Sequence, residues 1–167
     1  VFELRAGTPA DHRALADTVA KALLFPPRDD EGWEQAAASW VETSCFGAWD
    51  GDTCAGSVSQ FFVDTTVPGG VQLPTGAVSR VGVLPTHRRR GLATLLMHRL
   101  IDDAVERGLA LMSLRASEAV IYERYGFGMA GEFAEARELA VVADREDHVA
   151  VGGGEVLVGH NVRMAVA

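Results

Sequence analysis

Lysine is nearly missing from this chain: Lys21 stands alone against 14 arginines. The Gly-Lys-Ser/Thr string of a P-loop is absent, and so is the Gly-x-Gly-x-x-Gly of a dinucleotide fold. Cysteine is scarce too, with Cys45 and Cys54 only. Their spacing matches no metal pattern, so no metal is expected. They flank a hairpin turn and read as reduced, partly buried thiols of a cytoplasmic protein, with a bridge between adjacent strands as the alternative. No apolar run approaches the roughly 20 residues that span a bilayer. Val1 to Leu24 alternates charge with apolar residues, unlike a signal peptide. No membrane partner is therefore expected. The chain also lacks an initiator methionine, which suggests trimmed ends.

What is present suffices for one domain. The 167 residues are 48% hydrophobic, enough for a real core. The formal net charge is -8. Residues 1–80 hold 11 acids against 5 bases, and residues 81–167 hold 12 against 10. An acidic chain disfavours nucleic acid and suits cationic partners, although plain solubilising charge explains the same count.

Periodicity and punctuation give the elements. Phe2 to Ala6 reads as a strand. Thr8 offers an N-cap, Pro9 suits a first helical position, and Asp11 completes a capping-box-like start to a helix over Pro9 to Leu24. Leu15, Val19, Ala22 and Leu23 share one face of it. A second helix is expected over Asp30 to Thr43. Cys45 to Trp49 and Thr53 to Thr66 form a hairpin around Asp50-Gly51-Asp52. Leu73 to Leu84 is the next strand. Gly91 to Arg107 is the clearest helix, striped by Leu92, Leu95, Leu96, Leu100, Ala104 and Val105, with Gly108 just past its end. A buried strand over Ala110 to Ala116, a short helix near Glu118 to Tyr125 and a strand over Phe133 to Val142 follow. Residues 144–159 are polar and Gly-rich and read as a linker, and Asn161 to Ala167 as a strand without a partner. The expected division is a domain over 1–143, with 144–167 as linker and the start of a second domain. The order argues an α+β (mixed α/β) fold, with helices covering a largely antiparallel sheet. His12, His98, His148 and His160 read as surface residues.

One junction carries chemistry. Arg88-Arg89-Arg90-Gly91 sits between a strand and the best helix. The first N–H groups of a helix have no partner within it, and the helix dipole makes that end positive. Such an end binds phosphate. Gly91 lets backbone approach an anion, and the arginines add forked donors. A solvated face or a nucleic-acid patch are rival readings. The acidic balance and the lack of interleaved aromatics weigh against nucleic acid.

Here the chain resembles a known family. R-x-x-G-x-A after a V-x-V strand is the acetyl-CoA signature of the GNAT acetyltransferase superfamily. The closer similarity is to the enhanced-intracellular-survival (Eis) acetyltransferases. It rests on VPGGVQLPTGAVSRVGVLPTHRRRGLATLLM and RASEAVIYERYGFG, within a resemblance running from about Phe2 to Leu139. It implies a sheet splayed at the cofactor site. There the backbone of Val81, Gly82 and Val83 pairs with the pantetheine arm of acetyl-CoA. Arg88, Arg89, Arg90, Gly91 and Ala93 map onto the pyrophosphate loop, with Thr94 and Ser117 as further cofactor contacts. Tyr122 matches the tyrosine that protonates the departing thiolate; from its residues alone it reads as a core aromatic. Tyr125 aligns with a packing position.

The resemblance also implies an acceptor and a base. Eis relatives acetylate amines of aminoglycosides, and some acetylate lysines. The acceptor pocket is expected between the first two helices, lined by Phe25, Trp33 and Trp40, with Asp29, Asp30 and Glu31 supplying negative charge. The aromatics equally suit the core. Arg80 replaces an aromatic of several relatives, and its direction is open. The family's base is attributed to the C-terminal carboxylate of a longer, three-part chain, and Ala167 falls where a second domain would open. Within this chain Glu118, His87 or a water relay are the candidates, Glu118 equally as a helix cap. The expected partners are a small-molecule amine or lysine-containing acceptor and, as in the family's hexamers, further copies of the chain. The alternatives are a catalytically silent acyl-CoA-binding module or one domain of a longer enzyme.

Overall fold

The computed structural model describes residues 1–26, 28–41, 43–116, 119–138 and 155–166. The chain runs β1 (Glu3–Ala6), α1 (His12–Ala22), α2 (Asp30–Ala37), β2 (Thr43–Asp50), β3 (Thr53–Thr66), β4 (Gln72–Val83), α3 (Leu92–Glu106), β5 (Leu111–Ala116), β6 (Gly128–Glu138) and β7 (Glu155–Val166). Single 3-10 turns occupy Ala38–Trp40 and Pro85–His87, and a longer one Ala119–Tyr125. One sheet holds all seven strands in the order β1-β2-β3-β4-β5-β7-β6. Among the described residues only β4 and β5 pair in parallel; the other neighbours are antiparallel.

The expected fold class is the observed one, and several expectations change, among them the linker over 144–159, whose last residues from Glu155 are strand. The stretch from Asn161, read as a strand without a partner, has two. It belongs to β7, which lies between β5 and β6 (Ser113 opposite Met164, Phe133 opposite His160). Helix α1 begins three residues later than its punctuation suggests. Thr8 to Asp11 forms a turn in which the Asp11 carboxylate accepts the Thr8 N–H (2.9 Å) and hydroxyl (2.6 Å). Arg5 on β1 grips the same carboxylate with two nitrogens (2.8 and 3.0 Å). Those bonds hold Asp11 well below the usual carboxylate range, the Arg5 bond being the largest cause.

The sheet buries a separate cluster on each face. Successive strand residues point to opposite sides. Accordingly Phe46 joins Leu96, Met97, Leu100 and Phe127 around α3, while its neighbour Cys45 joins Leu15, Trp40 and Trp49 around α1. Leu95 and Val105, expected in the α3 stripe, are exposed, and Met97 takes the buried place. Asp103 is the one charged residue on the buried side of α3. Its carboxylate accepts from Ser44 (2.7 Å), Gln60 (3.0 Å) and Arg107 (2.8 Å), tying the helix to β2 and β3. Burial pushes its pKa up, and the bonds from Ser44, Arg107 and Gln60 outweigh that and hold it low. Cys45 and Cys54 are both free and buried. His98 is exposed, but His12 is half-buried against the Trp40 ring (centroids 5.3 Å apart). His148 and the His160 side chain lie outside the described residues.

Candidate functional site

The site opens where β4 leaves β5. Their parallel pairing ends at Val78 opposite Leu114. Beyond it, among the described residues, 79–83 keep β3 on one side only. The register between β3 and β4 also slips here. Ser59 faces Ser79, but Ser57 faces Gly82, so β4 carries an extra residue at Arg80-Val81. This is a β-bulge, which bends a strand and re-aims its side chains. Arg80 takes the left-handed conformation (φ 52), uncommon for a residue with a side chain. The bulge also settles its direction, which simple alternation left open.

The divergence leaves a groove of about 680 Å³. Val81, Gly82 and Val83 form one wall, and Leu114, Ala116 and Tyr122 the other. Gly82 is buried, and a Cβ there would lie 3.1 Å from both Val19 and Ala22. Its glycine lets α1 settle onto β4, which keeps the strand edge in place.

The groove runs to the start of α3. Gly91 is its N-cap, with φ 79 and no side chain capping the first turn. A Cβ on Gly91 would meet nothing within 4 Å. Within the protein, glycine is thus favoured by conformation and not by crowding. Arg89 is also left-handed (φ 63). Backbone N–H groups at such a turn and at the helix start make a positive, uncapped end.

The arginines divide their work. Arg88 lines the groove but donates to the Ala22 carbonyl (3.2 Å), one of the last of α1. Arg90 lies over the Phe2 ring, 5.8 Å from its centroid. Arg89 and Arg90 are exposed. Ala93 lines the groove, while Thr94 shares a hydrogen bond with the Tyr125 hydroxyl (3.2 Å). Ser117 and Glu118 lie outside the described residues. His87 sits in the loop between Thr86 (2.8 Å) and Asp50 (3.3 Å), away from the groove walls.

Tyr122 stands in the 3-10 turn Ala119–Tyr125, half-buried on the groove wall. Its ring packs near Phe127 and Tyr125, with centroids 6.4 and 6.5 Å away. Burial pushes its pKa above the ordinary 10.0, with Tyr125 adding to the rise. The phenol is therefore kept protonated. Burial raises both cysteine pKa values as well, so neither is a ready thiolate nucleophile.

A second pocket of about 260 Å³ lies beside the groove, between α1 and the turn after α2, and shares Leu23, Ser79 and Arg80 with it. Phe25 and Trp40 line it, as expected of an acceptor pocket. Trp33 packs against the Leu15 cluster instead. The expected acidic lining is not found among the described residues. Asp29 is the N-cap of α2, accepting the Gly32 N–H (2.9 Å). Asp30 and Glu31 occupy the first turn of α2, where negative charge favours the helix, and Asp30 pairs with Arg13 (2.7 Å). The charges that do reach the pocket are Arg28 and Arg80. Arg28, Ser79 and Phe61 were missed at the sequence level, because only the bulge and the α1–α2 packing bring them to the two cavities.

Against known proteins, a family model described as an acetyltransferase (GNAT) domain matches residues 3–130. The chain belongs to the GNAT acetyltransferase family. An uncharacterized N-acetyltransferase of Streptomyces avermitilis is 46% identical over 83 residues, half of this chain and 20% of the relative. N-acetyltransferase Eis of Mycobacterium tuberculosis is 44% identical over 87 residues, half of this chain and 21% of Eis. The chain thus spans about a fifth of the curated relatives it matches. The crystal structure of Eis1 from Mycobacterium abscessus superposes with a TM-score of 0.70 at 34% identity, over 84% of this chain and 37% of Eis1. A predicted acetyltransferase of Clostridium acetobutylicum, solved with acetyl-CoA, shares the fold at 21% identity with a TM-score of 0.66, over 81% of this chain and 95% of that one. Among the described residues no helix of this GNAT chain is long and apolar enough to cross a membrane.

Proposed function

We propose that this chain binds acetyl-CoA in the β4–β5 groove and transfers the acetyl group to a primary amine. The observation that carries the reading is the unpaired edge of residues 79–83 leading to the uncapped start of α3, with Tyr122 on the facing wall. An extended amide-bearing arm fits such an edge as an added strand would. A pyrophosphate fits the helix end. Bound there, acetyl-CoA supplies an activated acetyl group: the amine nitrogen bonds to its carbonyl carbon, the C–S bond breaks, and the electron pair leaves on sulfur.

Tyr122 delivers its phenolic proton to that sulfur, or stabilises the charge by hydrogen bonding. A thiolate of pKa about 8.5 is a weaker base than the phenolate, so the phenol is recovered by proton exchange with solvent. The bulge at Arg80-Val81 sets the strand edge against which the acyl end lies. No carboxylate or imidazole lines either cavity among the described residues, and Glu118 lies outside them. Whichever group or water takes it, the attacking amine must lose a proton before it attacks. Transfer should rise with pH as the free amine fraction of a group near pKa 10 rises. Buried thiols and a strand-edge site favour direct attack over an acyl-cysteine route.

The test is thiol release from acetyl-CoA across a panel of primary amines. Amine-dependent release supports the reading. Acetyl-CoA binding with no release for any amine would make the chain a silent binding module.

A further inference from the structure

The second pocket is built for the opposite charge from the one the family resemblance implies. Its lining carries Arg28 and Arg80 and no acid. Its remaining walls are largely apolar, with Val19, Leu23, Phe25 and Trp40. Arg80 is the unusual member. A β-bulge and a left-handed backbone hold it in place (φ 52), a conformation that is unfavourable for a side-chain-bearing residue. Its guanidinium lies between two rings, 4.0 Å from the Trp40 centroid and 4.7 Å from that of Phe61. One nitrogen, Nη2, donates to the Ser39 carbonyl and hydroxyl (2.9 Å each). The other, Nη1, is shut off from solvent with no partner. No carboxylate lies within ion-pair distance of Arg80 among the described residues.

This arrangement is costly for the empty protein. A half-buried cation has neutral partners only, and Arg28 lies near enough to oppose it. Burial and that repulsion both disfavour the charge. An anion in the pocket offsets both effects. The pocket holds about 260 Å³ and opens onto the groove through Leu23, Ser79 and Arg80. Arg80 lines the acyl-bearing groove as well as the pocket. An anion held beside it leaves a nearby amine at the groove.

Resting on the acetyltransferase reading above, we propose that the acceptor is a small amino acid: a primary amine carrying a carboxylate, the carboxylate held by Arg80 and Arg28 and an apolar side chain facing Leu23, Phe25 and Trp40. A guanidinium suits a carboxylate, and Arg80 has one nitrogen, Nη1, not already committed to Ser39. The step is the one already described, giving the N-acetyl amino acid and free CoA thiol.

The test pairs each amino acid with an amine that lacks its carboxylate, at a pH where both amines are largely unprotonated. Leucine is compared with leucinamide, and lysine with cadaverine, by thiol release at saturating acetyl-CoA. The carboxylate-bearing member of each pair should have at least a ten-fold higher kcat/KM. Arg28→Gln and Arg80→Gln should each shrink that ratio several-fold, mainly through KM. Arg80→Lys, which keeps charge but loses the fork, should fall between. Equal or better turnover of leucinamide and cadaverine overturns the proposal and leaves the acetyltransferase reading intact. If no acceptor releases thiol, that reading fails, and calorimetry decides the pocket separately. Leucine should bind the wild-type chain without acetyl-CoA and bind Arg28→Gln several-fold more weakly; absence of heat for the wild type, or equal binding by both, overturns the proposal.

Discussion

Removing one oxygen atom from Tyr122 isolates its chemistry from its packing. In Tyr122→Phe the ring keeps its place near Phe127 and Tyr125. Among the described residues no group hydrogen-bonds the Tyr122 hydroxyl, so no partner is orphaned. The unfolding midpoint should therefore move by less than the ~1 kcal/mol of a typical lost hydrogen bond. The proposed cofactor contacts lie on β4 and at the start of α3, so the dissociation constant for CoA should stay within about two-fold. What is lost is a proton donor or charge stabiliser in the transition state. Such groups contribute roughly 100- to 10,000-fold, and a phenol that water partly replaces belongs at the lower end, near 100-fold in kcat. The pH profile adds a sign. Burial raises the Tyr122 pKa above 10.0, so the donor stays protonated across the neutral and mildly basic range. Wild-type kcat should rise with pH and not turn over below about pH 10. Stopped-flow thiol detection on wild type and variant reads both. Unchanged kcat in Tyr122→Phe, or a loss matched by equal loss of CoA affinity, refutes the role of Tyr122 as donor.

Three further outcomes follow from the packing. Asp103→Ala leaves Ser44 and Gln60 without their buried acceptor and should cost about 3 kcal/mol in urea unfolding, whereas an exposed-site change costs under about 0.5. Asp11→Asn should cost about 1 kcal/mol at pH 7, a figure reduced for solvent screening because Arg5 is partly exposed. The Asp11 carboxylate is lowered in the folded chain, so its contribution is complete above the ordinary 3.8 and is lost as pH falls below it. The stability gap between wild type and Asp11→Asn should narrow over that range, as read by denaturant midpoints at pH 7, 4 and 2.5. Gly91→Ala forces a side chain into a left-handed N-cap. It should cost about 1 kcal/mol of stability and weaken CoA binding several-fold in calorimetry.

Local signals were legible in the sequence, and pairings across the chain were not. The Asp50-Gly51-Asp52 hairpin, the junction at Gly91 and the stop at Gly108 are each written within a few residues. Helix α3 starts within one residue of its expected place. Side-chain allegiance was harder. The acids at 29–31 read as a charged pocket wall, yet the same residues are good helix-start residues, and that local use prevails. Arg88 reads as a phosphate ligand from its neighbours alone; its bond to the Ala22 carbonyl, 66 positions earlier, is a contact no local pattern shows. The two partners of β7 depend on a strand inserting between β5 and β6, which no local pattern in residues 155–166 encodes. The bulge at Arg80 is hidden for a related reason: alternation is counted along one strand, and a bulge exists only relative to the strand beside it.

Isothermal titration of acetyl-CoA into the chain bears most directly on the groove between β4 and β5. Saturable binding of one molecule per chain is expected, weakening as salt is raised because phosphate meets the positive start of α3. A folded chain that takes up no acetyl-CoA even at low salt would contradict the account.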